Sequence, residues 1–200
     1  MIKSYSQSGQ DEYVINKLKN IRNGYFVDIG AWDGIEFSNT YALEQEYDWT
    51  GLLVECDPAV TRVLKQNRPN SIIDTRALWS ETNKEVVFKS VDGGKLSGVA
   101  DLISHPKGVA RNGKSHSITT ISLNDLFITH NCPKHINYMS MDTEGSEYEI
   151  LKTFDFTYTF DVVTIEHWNN KDEILELMKS NGYKKVKSLL DGTETVFVRK

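Results

Sequence analysis

Two hundred residues with 23 basic and 28 acidic side chains, a net charge of −5 and 39% hydrophobic residues suit a single globular domain with a sizeable core. This balance excludes a broad nucleic-acid or membrane surface, which needs clustered excess Lys and Arg, but leaves room for a local basic site. No apolar run approaches the ~20 residues of a membrane span, and residues 1–20 lack the apolar stretch of a signal peptide. The two cysteines, Cys56 and Cys132, have no metal-ligand spacing, so neither a disulfide framework nor structural zinc is indicated and a cytoplasmic location is expected.

In chain order, Gln10 to Lys19 reads as a helix with Tyr13, Val14 and Leu18 on one face. Tyr25 to Ile29 is a first strand, Asn39 to Gln45 a helix and Leu52 to Glu55 a second strand. Pro58, a good first-turn residue, opens a helix to about Asn67. Ser71 to Leu78 gives a third strand and Glu85 to Val91 an alternating extended segment. Residues 92–117 read as a long Gly-containing connection, followed by a short helix from Leu123 to Thr129. Ile136 to Met141, the helix Glu147 to Phe154, the strand Val162 to Glu166 and the helix Asp172 to Asn181 complete the alternation. Tyr183 to Leu189 and Thr195 to Arg199 flank the turn "LDGTE" and form a hairpin. The expected fold is α/β: one domain over 1–200, a Rossmann-like, mostly parallel seven-stranded sheet with helices on both faces and an antiparallel C-terminal hairpin. Class I methyltransferases have this architecture, and dehydrogenases share its first half.

Ligands of such sheets bind beyond the carboxyl ends of the strands, where strand order reverses. Four predicted strands end at carboxylates, Asp28, Glu55, Asp142 and Glu166, with Glu144 just beyond the fourth strand. Glu55 follows Gly30 by 25 positions, close to the ~20 expected for an acid that binds ribose hydroxyls. The turn itself, "DIGAWDG", is G-x-x-x-G and flanked by Asp28 and Asp33, which would repel a pyrophosphate and suit a cationic ligand such as S-adenosylmethionine.

The stretches "YSQSGQDEYV", "YFVDIGAWDGIEFSNTYALEQEYDWTGLLVECDP", "INYMSMDTEGSEYEILKTFDF" and "VVTIEHWNN" resemble the FkbM-type methyltransferases over nearly the whole chain. "SNTYALE" and "DTEGSEYEIL" are the specific motifs. The resemblance implies a class I fold that uses S-adenosylmethionine for O-methylation, most often of sugars and related natural products. It places Asp28, Gly30, Gly34 and Asn39 around the methionine portion, Glu55 at the ribose, Ala77 at the adenine edge and Asp142 near the cofactor. Where relatives commonly have Glu-His-Asn after the fifth strand, this chain has Glu166, His167, Trp168 and Asn169.

Methyl transfer to a hydroxyl needs an aligned acceptor, exclusion of water and a base. His167 is the first candidate, since imidazole titrates near neutrality, and Glu144 is the competing base. Glu147 and Glu149 are expected to face solvent. Asp142 and Glu166, ending adjacent strands, are catalytic candidates that either bond the acceptor or hold Mg²⁺ or Mn²⁺. The 92–117 connection, with Lys107, Arg111 and Lys114, reads as a substrate-binding flap. Trp32, Trp49, Trp79 and Trp168 read mainly as core residues, with Trp32 or Trp168, near the site, able to stack on a sugar face. A sugar or glycan acceptor is the leading partner. A non-catalytic glycan- or protein-binding module and an RNA or protein methyltransferase remain alternatives.

Overall fold

The computed structural model describes residues 3–100 and 113–200. Its main sheet holds β1 (Tyr25–Ile29), β2 (Thr50–Val54) and β3 (Ile72–Asp74) on one side, and β8 (His135–Met141), β9 (Thr159–Glu166), β10 (Tyr183–Leu189) and β11 (Glu194–Arg199) on the other. The order is β10-β11-β9-β8-β1-β2-β3. All neighbours pair parallel except β11, which runs antiparallel to both β9 and β10. The order reverses at β1, between β2 and β8, and creates there the crevice expected of this sheet type. This is the sheet anticipated from the sequence, with its antiparallel C-terminal hairpin.

Central parallel strands are covered on both faces and so read as near-continuous apolar runs. Successive side chains alternate between two cores. Val27, Ile29, Met139, Met141, Val163, Ile165 and Phe197 pack with α4 (Leu123–Thr129), α5 (Glu147–Leu151) and α6 (Lys171–Ser180). Phe26, Leu53, Tyr138, Val162, Val196 and Val198 face α1 (Gln10–Lys17), α2 (Tyr41–Tyr47) and α3 (Thr61–Asn67). This alternation decides which strand-end residues reach the crevice.

A second, four-stranded sheet, β4-β7-β5-β6, stands beside the first. It consists of β4 (Ala77–Leu78), β5 (Glu85–Ser90), β6 (Gly98–Val99) and β7 (Lys114–Ile121). Here the structure corrects several expectations. The single strand read over Ser71 to Leu78 is divided, because Arg76 folds back on Asp74 and sends Ala77 and Leu78 to pair with β7. The 92–117 connection is not one continuous loop, since Gly98–Val99 and Lys114 onward are strands paired with β5. Lys107 and Arg111 lie outside the described residues. Pro58 stands in a turn held by Asp57 Oδ1, which accepts the amide of Ala59 at 2.8 Å, and the helix begins only at Thr61.

Candidate active site

The crevice at the switch point is a cleft of about 700 Å³. Asp28, Gly30, Asn39, Glu55, Asp142, Glu144 and Glu166 line it, together with Trp32 and Trp168. A smaller cavity of about 50 Å³ adjoins it at Gly30, Glu55 and Asp142 and is lined by Cys56, Arg76, Ala77, Leu78, Phe88 and Val99.

Gly30 sits at φ 86°, and a Cβ there would overlap the carbonyl oxygen of Asp142. The glycine therefore lets the β1 and β8 ends close on each other and leaves bare backbone at the cleft floor. Gly34, at φ 80°, faces elsewhere: a Cβ would press on Leu64 Cδ1 at 2.6 Å and Arg68 Cγ at 2.7 Å, and the residue does not line the cleft. Its carbonyl accepts from Arg68 Nη1 at 3.1 Å. Asp33 closes its own turn by accepting the amides of Ile35 and Glu36.

Glu55 Oε2 accepts the Trp32 amide at 3.0 Å and Oε1 the Asp57 amide at 2.7 Å. Each oxygen keeps a lone pair for a hydroxyl donor. Burial pushes this carboxyl up to about 7, against the amide bonds that pull it down. Asp28 is likewise raised by burial, to about 6, while Thr40 Oγ1 donates to it at 2.7 Å. The "SNTYALE" segment performs three tasks here. Ser38 Oγ accepts the amide of Tyr41 at 3.1 Å, Thr40 holds Asp28, and Asn39 Nδ2 donates to Ser140 Oγ at 2.8 Å. Asn39 Oδ1 is buried without a partner. That orphaned acceptor, the two-oxygen carboxylate of Glu55 and the uncovered Gly30 backbone fit a ligand bearing an ammonium group and a ribose, as S-adenosylmethionine does.

Around the β8 and β9 ends the acids crowd. One oxygen from each of Asp142, Glu144 and Glu166 lies within 4.8 Å of the others. Asp142 and Glu166 are hydrogen-bonded, which two carboxyls achieve only by sharing a proton. Burial first, then the neighbouring negative charges, pushes Glu144 up to about 9 and Glu166 up to about 12. Glu144 Oε2 and Asp142 Oδ1 are buried with no donor to satisfy them. Glu147, expected at the surface, is buried beneath this loop: its Oε1 accepts from Thr143 N at 2.8 Å, Thr143 Oγ1 at 2.9 Å and Gly145 N at 3.2 Å. The loop's turn offers three donors, and an acid at that spacing is what satisfies them.

His167 lies outside the cleft, although its neighbours Glu166 and Trp168 line it. Its ring is buried on the Ile165 side of the sheet, with Nε2 2.8 Å from Thr195 Oγ1. The base role expected for His167 does not fit this placement. Conversely, the sequence reading passed over Gln7, Gln10 and Glu194. Glu194 enters the cleft from β11 opposite Glu166, accepts from Gln10 Nε2 at 2.7 Å, and is raised by burial to about 7. In all, eight carboxylate residues line the cleft, against one basic residue, Lys95, among the described residues. Lys95 is already paired with Glu36 at 3.2 Å and lies over the Trp32 ring at 4.5 Å.

The family model for the methyltransferase FkbM domain matches residues 28–185. The chain belongs to the FkbM methyltransferase family. It is therefore an S-adenosylmethionine-dependent methyltransferase, and the cofactor suggested by the glycine turn and Glu55 is the family's own. Solved structures support the fold of this FkbM domain. A TehB-like SAM-dependent methyltransferase from Corynebacterium glutamicum is 11% identical at a TM-score of 0.51, with 98% of this chain and 89% of that one covered. A ribosomal protein L11 methylase from Lactobacillus delbrueckii subsp. bulgaricus is 9% identical at a TM-score of 0.50, covering 96% and 77%. No curated protein matches the chain. Among the described residues no helix is long and apolar enough to cross a membrane.

Proposed function

We propose that this FkbM methyltransferase transfers a methyl group to a hydroxyl oxygen of a neutral sugar or glycan. One observation carries the reading: the acceptor end of the cleft is lined by Asp142, Glu144, Glu166, Asp191 and Glu194, with no basic side chain among its described residues. Carboxyl groups crowded in a buried site repel phosphates and accept hydrogen bonds from hydroxyls. That disfavours sugar phosphates and RNA and suits a polyol. Trp168 adds an aromatic surface of the kind that covers a sugar face.

In this reading Glu55 takes the ribose hydroxyls, Ala77 meets the adenine edge, and Asp28, Gly30 and Asn39 surround the methionine portion. Gly34 serves by packing α3 beneath the turn. The cofactor supplies a methyl group on a positively charged sulfur and leaves as a neutral thioether. Glu144 is the base that receives the hydroxyl proton as the acceptor oxygen takes the methyl group. The raised acids around it hold protons while no positive charge is near, and a cationic ligand lowers their affinity for protons. Glu144 is thus armed only when the site is loaded. Asp142 and Glu166 orient the acceptor, and a divalent cation on those two residues is compatible with the same reaction.

The test is incubation with methyl-labelled S-adenosylmethionine and a panel of neutral sugars and glycans, sugar phosphates and RNA. Label in the neutral sugars supports the reading. Label confined to RNA, with salt-sensitive binding, would establish the nucleic-acid alternative, and cofactor binding without transfer to any acceptor would indicate a binding module.

A further inference from the structure

We propose that Asp142, Glu144 and Glu166 together form a site for one divalent, oxygen-seeking cation. The sequence pointed to two of these ligands, and Glu144 is the one the structure adds. The inference rests on the O-methylation reading only for the cation's catalytic use.

The spacing comes first. Oxygens facing each other across Ca²⁺ lie ~4.6–5.2 Å apart and across Mg²⁺ ~4.0–4.2 Å. The three carboxylate oxygens here are within 4.8 Å of one another. That spacing is within the reach of one divalent cation with oxygen ligands. The second observation is independent of the clustering. Glu144 is only 8% exposed, yet its Oε2 has no partner. A buried carboxylate oxygen is ordinarily satisfied, and one left without a donor is explained by a ligand. Its backbone, at φ 58°, occupies the left-handed region that non-glycine residues seldom adopt. Glu147 and the flexible Gly145 hold the loop in that shape.

Three protein ligands would leave about half of an octahedral shell open to water or acceptor hydroxyls. A hydroxyl bound there loses its proton more readily, and Glu144, which meets the cation through Oε2 alone, keeps its other oxygen to receive that proton. Trp168 Nε1 donates to Glu166 Oε2 at 3.2 Å and orients that ligand from outside, the arrangement that tunes metal sites. It also provides a reporter.

The experiment uses the full chain dialysed against EDTA, without cofactor or acceptor, and Mn²⁺ as the probe. Electron paramagnetic resonance should show one saturable Mn²⁺ per chain, displaced by Mg²⁺ or Ca²⁺. Glu144→Gln and Asp142→Asn should each weaken binding ~10-fold or more. In the wild-type protein, Mn²⁺ should broaden the Trp168 indole resonance more than that of Trp49, which precedes β2 at the strand end away from the cleft. No saturable binding to the wild-type chain, unchanged binding in a folded Glu144→Gln variant, or equal broadening of both indoles overturns the site. The reaction can fail separately. Mn²⁺ bound at Trp168 with methyl transfer to nitrogen would leave the site standing and remove the O-methylation reading. Full-rate methylation of a sugar hydroxyl by protein that takes no Mn²⁺ would do the reverse.

Discussion

Glu166 and His167 are consecutive in the chain yet face opposite sides of the sheet: the carboxyl opens into the cleft and the imidazole hydrogen-bonds Thr195 Oγ1 at 2.8 Å. The separation follows from the two-residue period of β9, which puts His167 on the side of Val163 and Ile165. His167→Ala should therefore act on stability, costing the ~1–3 kcal/mol of a buried group left without its partner. Urea denaturation and steady-state kinetics check this. Turnover of the folded variant should stay within a few-fold of wild type, and a loss of ~10² or more would restore His167 as the base.

Glu144→Gln should have the opposite profile. The side chain keeps its size but loses the ability to accept a proton, so kcat should fall ~10²- to 10⁴-fold while cofactor affinity stays near wild type. Calorimetry with S-adenosylhomocysteine alongside single-turnover kinetics separates the two quantities. Retention of kcat would remove Glu144 from the reaction.

For Glu55, both oxygens face backbone amides and the cleft at once. Loss of the hydrogen bonds it offers the ribose should cost ~1.5–3 kcal/mol of cofactor affinity in Glu55→Ala, about 10- to 150-fold. The ionised form is the better acceptor, and burial raises this group to about 7. Affinity for S-adenosylhomocysteine should accordingly weaken as pH falls through about 7, and Glu55→Gln should lose that dependence.

The same shifts set the stability of the free protein. Glu55 and Glu194 are both raised from 4.5 to about 7, so the folded chain binds their protons more tightly than the unfolded chain. Their contribution is complete below about 4.5 and is lost as pH rises through about 7. Asp74 works the other way: burial pushes it up, but the hydrogen bonds from Arg76 and His130 together outweigh burial and hold it below 3.8, and its contribution disappears only as pH falls under that value. The thermal midpoint should therefore decline from pH 5 to pH 8, and the double variant Glu55→Gln, Glu194→Gln should flatten the decline. A midpoint that rises over this interval contradicts the assignment.

Arg68 is fully buried, paired with Glu44 at 2.8 Å, and reaches Thr40 Oγ1 at 3.3 Å, the hydroxyl that holds Asp28. Arg68→Ala would leave Glu44 its hydrogen bond from Ser71 but no countercharge, and should destabilise the fold by ~3–5 kcal/mol, readable by chemical denaturation. A loss under ~1 kcal/mol would mean that water replaces the guanidinium without penalty.

Strand ends were the legible part of this site. Asp28, Glu55, Asp142 and Glu166 each close an apolar run, and parallel topology brings such ends together regardless of the distance between them in sequence. Facing was less legible, although Val163, Ile165 and His167 already share one parity with the core. Glu194 escaped notice because β11 is antiparallel, so its first residue, not its last, meets the cleft. Gln10 was read only as part of an amphipathic helix, and nothing local marks it as the partner of a residue 184 positions away. The strand β7 presents "KSHSITTI", in which Lys114, Ser115, Ser117 and Thr119 are exposed and only Thr120 and Ile121 are buried. Its first half carries too few apolar residues to announce a strand.

The central claim is that the carboxyl-lined end of the cleft presents a neutral hydroxyl to the methyl donor. The position of a ¹³C label in the product tests it most directly. With ¹³C-methyl S-adenosylmethionine and the neutral sugars that accept label, the account predicts a single methyl-ether resonance on a sugar oxygen, absent with Glu144→Gln. Label on nitrogen or carbon, or preferential methylation of a phosphorylated acceptor, would contradict it.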